Sequence, residues 1–125
     1  SLYIQERSAI LEDLKEKADI LFTNQKIDGV FALDENDSVA ALRISLKKGY
    51  KVPEDLSIIG FADGILASRR LSPSLTTVSQ HGPEIGAAAA KLLIERLESK
   101  EKECPYKTTV IKTELRLRES TRILK

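Results

Sequence analysis

The sequence predicts an α/β fold with an open parallel sheet flanked by helices. Two runs of strand length, 27–33 and 56–61, are apolar at consecutive positions, which is typical of strands buried on both faces of a parallel sheet. An amphipathic segment, 39–46, lies between them, so the unit from 27 to 61 is strand, helix, strand. A crossover of this kind makes the two strands parallel and the connection right-handed.

The helix between these strands carries recognisable end signals. The polar cluster 34–38 is rich in residue types that cap helix N-termini. At the other end, Lys47 and Lys48 suit the negative end of the helix dipole, and Gly49 suits the left-handed position that follows a helix. The helix is therefore expected to begin within the polar cluster and to end before Gly49.

Further elements are expected on both sides of this unit. Apolar residues at three- and four-residue steps predict a helix over 8–22 and a second one over 84–99, the latter opened by Gly-Pro-Glu. A β-prone run predicts a short strand at 75–78, and alternation predicts a strand over 108–117. The segment 65–70 suits a short helix. The order of these elements favours one α/β unit.

Length and composition narrow the possible functions. The chain has 125 residues, enough for one domain spanning 1–125, and its 42% hydrophobic and 31% charged residues are typical of a globular fold. Lys and Arg number 20 against 19 Asp and Glu, so no charge bias predicts a nucleic-acid or membrane surface. One cysteine and one histidine leave no basis for a disulfide within the chain or for a thiolate or histidine metal site.

Acidic and amide side chains follow both predicted inner strands. Asp34 and Glu35 come directly after the first strand, and Asp63 follows the second. Ligands of open α/β sheets bind outside the carboxyl ends of the strands, and a carboxylate can accept hydrogen bonds from two hydroxyls of a polyol. The alternative is that Asn36, Asp37 or Asp63 only caps a helix. Both interpretations are open at the level of the sequence.

No catalytic residue is assigned. The sequence contains no nucleophile elbow, no phosphate-binding glycine loop and no histidine–carboxylate–serine set. The single histidine, His81, is expected to be a structural hydrogen bonder. Charged residues at alternate positions of the last strand, among them Arg116 and Arg118, are interpreted as a solvated strand face.

An ordered series of motifs resembles the LacI/GalR (lac-repressor) family of bacterial transcription regulators. The resemblance covers about 28–122. Six motifs carry it, in this order along the chain: Asp-Gly-Val-Phe-Ala at 28–32, the run 49–61, Gly-Phe-Ala-Asp at 60–63, the run 73–80, Glu-Ile-Gly at 84–86 and Leu-Arg-Glu-Ser-Thr-Arg at 117–122.

The resemblance implies a function. Family members read an operator with an N-terminal helix-turn-helix domain, and a small effector, commonly a sugar or nucleobase, binds between two lobes that resemble periplasmic binding proteins. The chain is then the C-terminal portion of the effector-binding and dimerisation domain of a cytoplasmic homodimer, without the DNA-binding domain and first lobe. No enzymatic activity, cofactor or membrane contact is implied. The alternative is a sugar-binding lobe of a transport receptor of the same fold; an enzyme on an open α/β sheet is disfavoured.

The resemblance also implies effector-binding residues. The family's pair of polar residues after the first strand matches Asp34 and Glu35, and its second pair matches Ala62 and Asp63. Because the acid that often binds effector hydroxyls matches Ala62, that contact is expected to be absent or to have moved to Asp63. Gln80 is a further candidate, at the crossover between lobes.

The family's dimer contacts match the helix 38–48 and the segment 65–71, which makes Leu42, Ser45 and Leu71 candidate interface residues. The helix 84–99 packs on the first lobe in the family. Its apolar face is therefore expected to lack its partner here and to promote association or segment swapping of the isolated chain.

Overall fold

The computed structural model describes residues 19–20, 22–23, 27–64, 70–99 and 105–123. Most of the expected helix 8–22 and nearly all of the expected short helix 65–70 lie outside the described residues.

The described strands form one sheet in the order β1-β2-β3-β4. The strands are β1 (Gly29–Ala32), β2 (Ser57–Phe61), β3 (Thr76–Ser79) and β4 (Glu114–Arg116). The first three are parallel, with Val30 opposite Ile58, and β4 is antiparallel to β3. The open parallel sheet predicted from the sequence is confirmed for β1 to β3, and the antiparallel direction of β4 was not predicted.

The last strand is shorter than predicted. Alternation suggested a strand over 108–117, whereas β4 has three residues and the stretch 105–113 contains no strand. Nearly all of that stretch is exposed. Period-two alternation is therefore not sufficient for a strand, because a strand also needs a neighbour to which it can hydrogen-bond.

Helix α1 (Glu35–Lys47) connects β1 to β2, and its end signals act as expected. Asp34 is the N-cap, and its Oδ1 accepts a hydrogen bond from the Asp37 backbone N–H at 2.8 Å. Lys47 lies in the last turn, and Gly49 adopts the positive φ of 85° that favours glycine. Asp34 thus takes the capping role that the sequence also allowed to Asn36 and Asp37.

Helix α1 covers one face of the sheet and makes the core with it. The buried apolar cluster consists of Leu42, Val52, Leu56, Ile58 and Leu75. The contact is close at Gly60, where an added Cβ would overlap Ser38 Oγ. Glycine at this position therefore lets the helix approach the strand.

Two of the three expected dimer residues lie inside the chain. Leu42 is 1% exposed in the core, and Ser45 is fully buried, with its hydroxyl donating to the Ala41 carbonyl at 2.6 Å. Neither side chain can therefore reach a second copy, so these two assignments are corrected. Leu71 is half-buried and packs against the core cluster.

Helix α2 (Gly82–Glu98) has the predicted position, but its environment differs from that of α1. None of its residues is buried, and its large apolar side chains are exposed, among them Leu93 at 57% and Leu97 at 76%. Described residues that lie near the helix include Tyr106, whose ring faces Arg96, and Lys107, which pairs with Glu95, and they leave these apolar side chains exposed. The expectation that the helix lacks its packing partner agrees with this exposure.

Candidate functional site at the carboxyl edge of the sheet

The loops that follow β1 and β2 meet at the carboxyl edge of the sheet. The first loop ends at Asp34 and is followed by Glu35, the first residue of α1, and the second carries Asp63 and Gly64. The Glu35 carboxylate lies so close to Gly64 that a Cβ on this glycine would overlap it. Three of the four sequence-predicted effector residues therefore lie at two strand ends that touch each other.

Asp34 is both a helix cap and a group at this edge. Its Oδ1 accepts from the Asp37 amide, and its backbone carbonyl accepts from the Ser38 hydroxyl at 2.6 Å and the Ser38 amide at 3.1 Å. These bonds hold the loop in place at the end of β1. Capping therefore positions the Asp34 carboxylate rather than removing it from the edge.

Asp63 is the centre of an ion-pair cluster. Its Oδ1 accepts from Thr77 Oγ1 at 2.7 Å and from Arg118 Nη2 at 2.5 Å, and its Oδ2 accepts from Arg116 Nη1. The side chain is only 7% exposed. Burial alone would raise the pKa of Asp63, but the hydrogen bonds from Thr77 and Arg118 and the charges of both arginines outweigh it and hold that pKa below its ordinary value of 3.8.

The residues of β4 are all exposed, as expected of a solvated strand face, but Arg118 just after the strand is not. Arg118 is 17% exposed and also donates to the Leu75 carbonyl at 2.6 Å and to Thr77 Oγ1 at 2.8 Å. Arg116 is 43% exposed. The alternate spacing of Arg116 and Arg118 predicted that both lie on one face of a strand. Nothing in the sequence indicates that these two arginines meet Asp63, which follows a different strand.

The crossover after β3 carries Gln80 and His81. Gln80 is exposed immediately after the strand. His81 has a left-handed backbone, with φ of 54°, and its Nδ1 lies 2.8 Å from a Glu84 carboxylate oxygen. Its Nε2 is 3.9 Å from Glu114. The structural role expected of His81 agrees with these contacts, and the structure shows no contact between Gln80 and the other candidate residues.

The segment after β4 is bonded to the amino-terminal ends of β2 and β3. Ser120 is fully buried, and its hydroxyl donates to the Ile58 carbonyl at 2.6 Å and accepts from the Thr76 amide at 2.8 Å. Beside it, Glu119 accepts from the amide and hydroxyl of Ser74, which lowers the pKa of this carboxyl. The 117–122 motif therefore anchors the chain directly after β4. In the sequence, this motif was recognised only because it resembles the ending of LacI/GalR family members.

Two classes of site are not found in the described part of the chain. Over the residues that the structure describes, no group of three His, Cys, Asp or Glu side chains lies close enough to hold a metal ion. No helix in the same set of residues has the length and apolar character that a bilayer crossing requires.

The comparisons with known proteins agree with this architecture. A family profile described as "Periplasmic binding protein-like domain" matches residues 3–121, so the chain belongs to that family. The ribose operon repressor of Halalkalibacterium halodurans is 39% identical over 105 residues, 82% of this chain and 30% of that protein. The transcriptional repressor PurR of Histophilus somni is 37% identical over 105 residues, 84% of this chain and 31% of that protein.

A solved structure makes the relation more specific. The LacI family transcriptional regulator from Enterococcus faecium, with bound ribose, superimposes with a TM-score of 0.78 at 30% identity, over 90% of this chain and 40% of that one. The chain is thus part of an effector-binding domain of the LacI type. It spans about 30% of the length of the two repressors.

Proposed function

We propose that the chain is the C-terminal portion of the effector-sensing and dimerisation domain of a LacI-type transcription regulator. A small sugar-like molecule binds at the carboxyl edge of the sheet, between this lobe and another, and changes the affinity of the whole protein for operator DNA. Because a ligand shifts a conformational equilibrium only through its different affinities for the two states, effector binding must favour one arrangement of the lobes.

The contact between the two strand-end loops carries this proposal. Glu35 touches Gly64, and Asp34 is held at the same edge by its capping bonds. Carboxylates at the carboxyl ends of parallel strands can accept hydrogen bonds from the hydroxyls of a sugar. The relatives named as repressors and the ribose-bound neighbour support the same assignment.

The remaining features of the whole protein follow from this class. We propose a cytoplasmic homodimer without enzymatic activity that contacts operator DNA through a separate N-terminal domain. Of the residues first considered for the dimer interface, Leu71 is the one whose side chain is partly accessible. Gln80, exposed at the crossover, is proposed as an effector contact together with Asp34, Glu35 and Asp63.

A sugar-binding lobe of a transport receptor is the second candidate, because its fold is the same. The repressor relatives and the LacI-type neighbours favour the regulator. The two candidates differ in one measurable property, since only the regulator binds operator DNA in a ligand-dependent manner.

The experiment is a thermal-shift screen of the full-length protein against sugars, sugar acids and nucleobases, since a ligand that binds the native state raises the melting temperature. A ligand that binds is then tested with Asp34→Asn, which keeps the capping oxygen but removes the carboxylate charge. We expect a smaller ligand-induced shift with an almost unchanged melting temperature without ligand. An unchanged ligand-induced shift would remove Asp34 from the site, and the absence of any ligand across the panel would contradict the proposed function.

A further inference from the structure

His81 lies between two carboxylates that belong to different elements. Its Nδ1 is 2.8 Å from a carboxylate oxygen of Glu84, in the first turn of α2. Its Nε2 is 3.9 Å from Oε2 of Glu114, the first residue of β4. The first distance suits a hydrogen bond, whereas the second is an ion-pair distance and too long for one. The imidazole is therefore placed to connect the start of α2 to the sheet.

The backbone around His81 explains this placement. Strand β3 ends at Ser79, whose partner in the register is Glu114, so β4 begins beside the point where the chain leaves β3. His81 then takes a left-handed conformation, which a residue other than glycine keeps only where its surroundings hold it. Its carbonyl accepts from the Ile85 amide at 3.0 Å, as the first backbone bond of α2. This turn brings one side chain of α2 and one of β4 to the two nitrogens of a single ring.

The number of N–H groups on the ring determines how many of these carboxylates it can bond. A neutral imidazole has one N–H, whereas an imidazolium has two. In the neutral ring, the nearer acceptor, Glu84, selects Nδ1 for the proton, and the lone pair of Nε2 then faces the Glu114 carboxylate. A second proton, on Nε2, replaces this repulsion with a charge-assisted hydrogen bond.

The charged groups that face the ring among the described residues are net negative. Glu84 comes from α2 and Glu114 from β4, where Nε of Arg116 lies 3.6 Å from the same Oε2 atom of Glu114. Arg116 also pairs with Asp63. A positive charge on the ring offsets these carboxylates. Glutamate and arginine side chains keep their charge between about pH 5.5 and pH 8 in model peptides, whereas an imidazole gains or loses its charge in this range.

We infer that His81 is a pH-sensitive link between α2 and the sheet. Protonation adds a bond from Nε2 to Glu114 while Nδ1 keeps Glu84, so the helix is tied to β4 more tightly at acidic pH. Because α2 buries none of its residues, one added bond at its first turn changes how firmly the helix is held. Gln80, an effector contact in the proposed function, precedes His81 directly, but the link does not depend on that role.

The test is hydrogen exchange of the full-length protein at pH 5.5 and pH 8, corrected for the intrinsic pH dependence of exchange, in peptides that contain residues 80–86 and 113–117. Glu114→Gln is expected to accelerate exchange in both peptides about two- to fivefold more at pH 5.5 than at pH 8, the effect of losing one partly exposed ion pair. Arg116 pairs with Glu114 at both pH values, so the difference between them isolates the ring. In a His81→Gln background, Glu114→Gln should have the same effect at both pH values.

Glu95→Gln is the matched control. Glu95 pairs with Lys107 at 3.1 Å, and a lysine is a type of residue that stays charged over this range, so the effect of this substitution should not depend on pH. The inference is overturned if Glu114→Gln has the same effect at both pH values, or if its pH dependence persists in the His81→Gln background.

The ¹⁵N spectrum of the histidine rings provides a second measurement, in which the signal that is absent from His81→Gln identifies the ring. At pH 8 the proton is expected on Nδ1, and at pH 5.5 on both nitrogens. A neutral ring protonated on Nε2 would also overturn the inference, because Nδ1 would then have no proton to donate to Glu84.

Discussion

Helices α1 and α2 are both amphipathic but have opposite environments. Helix α1 lies on the sheet and places Leu42 in the core at 1% exposure, whereas α2 has no buried residue and exposes Leu97 at 76%. The difference shows that apolar periodicity predicts a helix and the side on which it is apolar, but not which surface covers that side. In this chain α1 is covered by its own strands, whereas the described contacts of α2, among them those with Tyr106 and Lys107, bury none of its residues.

The two regions also differ in how they are connected. Helix α2 follows β3 at the end of the parallel strands, and a dense set of side-chain bonds begins at β4. Asp63 receives Arg116 and Arg118, and Ser120 joins Ile58 to Thr76. The polar network therefore begins where the chain returns to the sheet: its Asp63 part involves the loop after β2, and its Ser120 part lies at the amino-terminal ends of β2 and β3.

Truncating a core residue should have the largest effect on stability. Leu42→Ala is expected to lower the free energy of unfolding by about 2–5 kcal/mol, because it leaves a cavity between α1 and the sheet. The matched control, Leu97→Ala, is expected to change it by no more than about 0.5 kcal/mol, because that side chain is exposed. Urea unfolding measures both, and equal losses would contradict the comparison between the two helices.

Removing the Ser120 hydroxyl should lower the free energy of unfolding by less than Leu42→Ala does, but by more than a surface substitution does. Ser120→Ala leaves the Ile58 carbonyl without its donor and the Thr76 amide without its acceptor. Leaving buried polar groups unsatisfied costs about 1–3 kcal/mol. Thr113→Ala, in the exposed stretch before β4, is the control, and thermal unfolding of the two variants should separate them.

The next effect is a dependence of stability on pH that arises from Asp63. Since the pKa of Asp63 is lower in the folded protein than its ordinary value of 3.8, the carboxylate stabilises the fold above about pH 4. This contribution is lost as the pH falls below 3.8 and through the folded-state pKa.

Asp63→Asn tests this dependence. Its free energy of unfolding should be below that of the unmodified protein at pH 7 and should approach it on acidification. Denaturant titrations at a series of pH values measure the difference. A constant difference down to pH 2.5 would show that the charge of Asp63 does not supply the stabilisation.

The smallest effect is expected at the N-cap of α1. Asp34→Ala removes the acceptor of the Asp37 amide and should cost about 1 kcal/mol, whereas Asp34→Asn, which keeps an acceptor, should cost only a few tenths. Thermal melts of the two variants without ligand provide the check. Equal losses would mean that the Asp34 charge, and not its capping bond, stabilises the helix.

The elements that local patterns specify could be predicted from the sequence. The consecutive apolar residues of β1 and β2, the capping signals around α1 and the Gly-Pro-Glu start of α2 all led to elements that the structure contains. The candidate residues Asp34, Glu35 and Asp63 also follow from one rule, that ligands bind at the carboxyl ends of parallel strands.

What could not be predicted depends on contacts between distant segments. Asp63 meets Arg116 and Arg118 more than fifty residues later in the chain, and nothing in the spacing of charges marks that pairing. The burial of Leu42 and Ser45 was missed for a related reason. Resemblance assigned the helix to an interface, while the side of the helix that faces the sheet is determined by packing.

The most direct test of the account is hydrogen exchange of the full-length protein with and without the ligand found in the thermal-shift screen. We expect ligand-dependent protection in peptides that contain residues 33–38 and 61–64, because the two strand-end loops contact each other and are proposed to contact the ligand. Peptides from 50–56, at the opposite end of the sheet, are the internal reference. Protection of the two loops supports an effector site at the carboxyl edge. Protection elsewhere, with both loops unchanged, would contradict it.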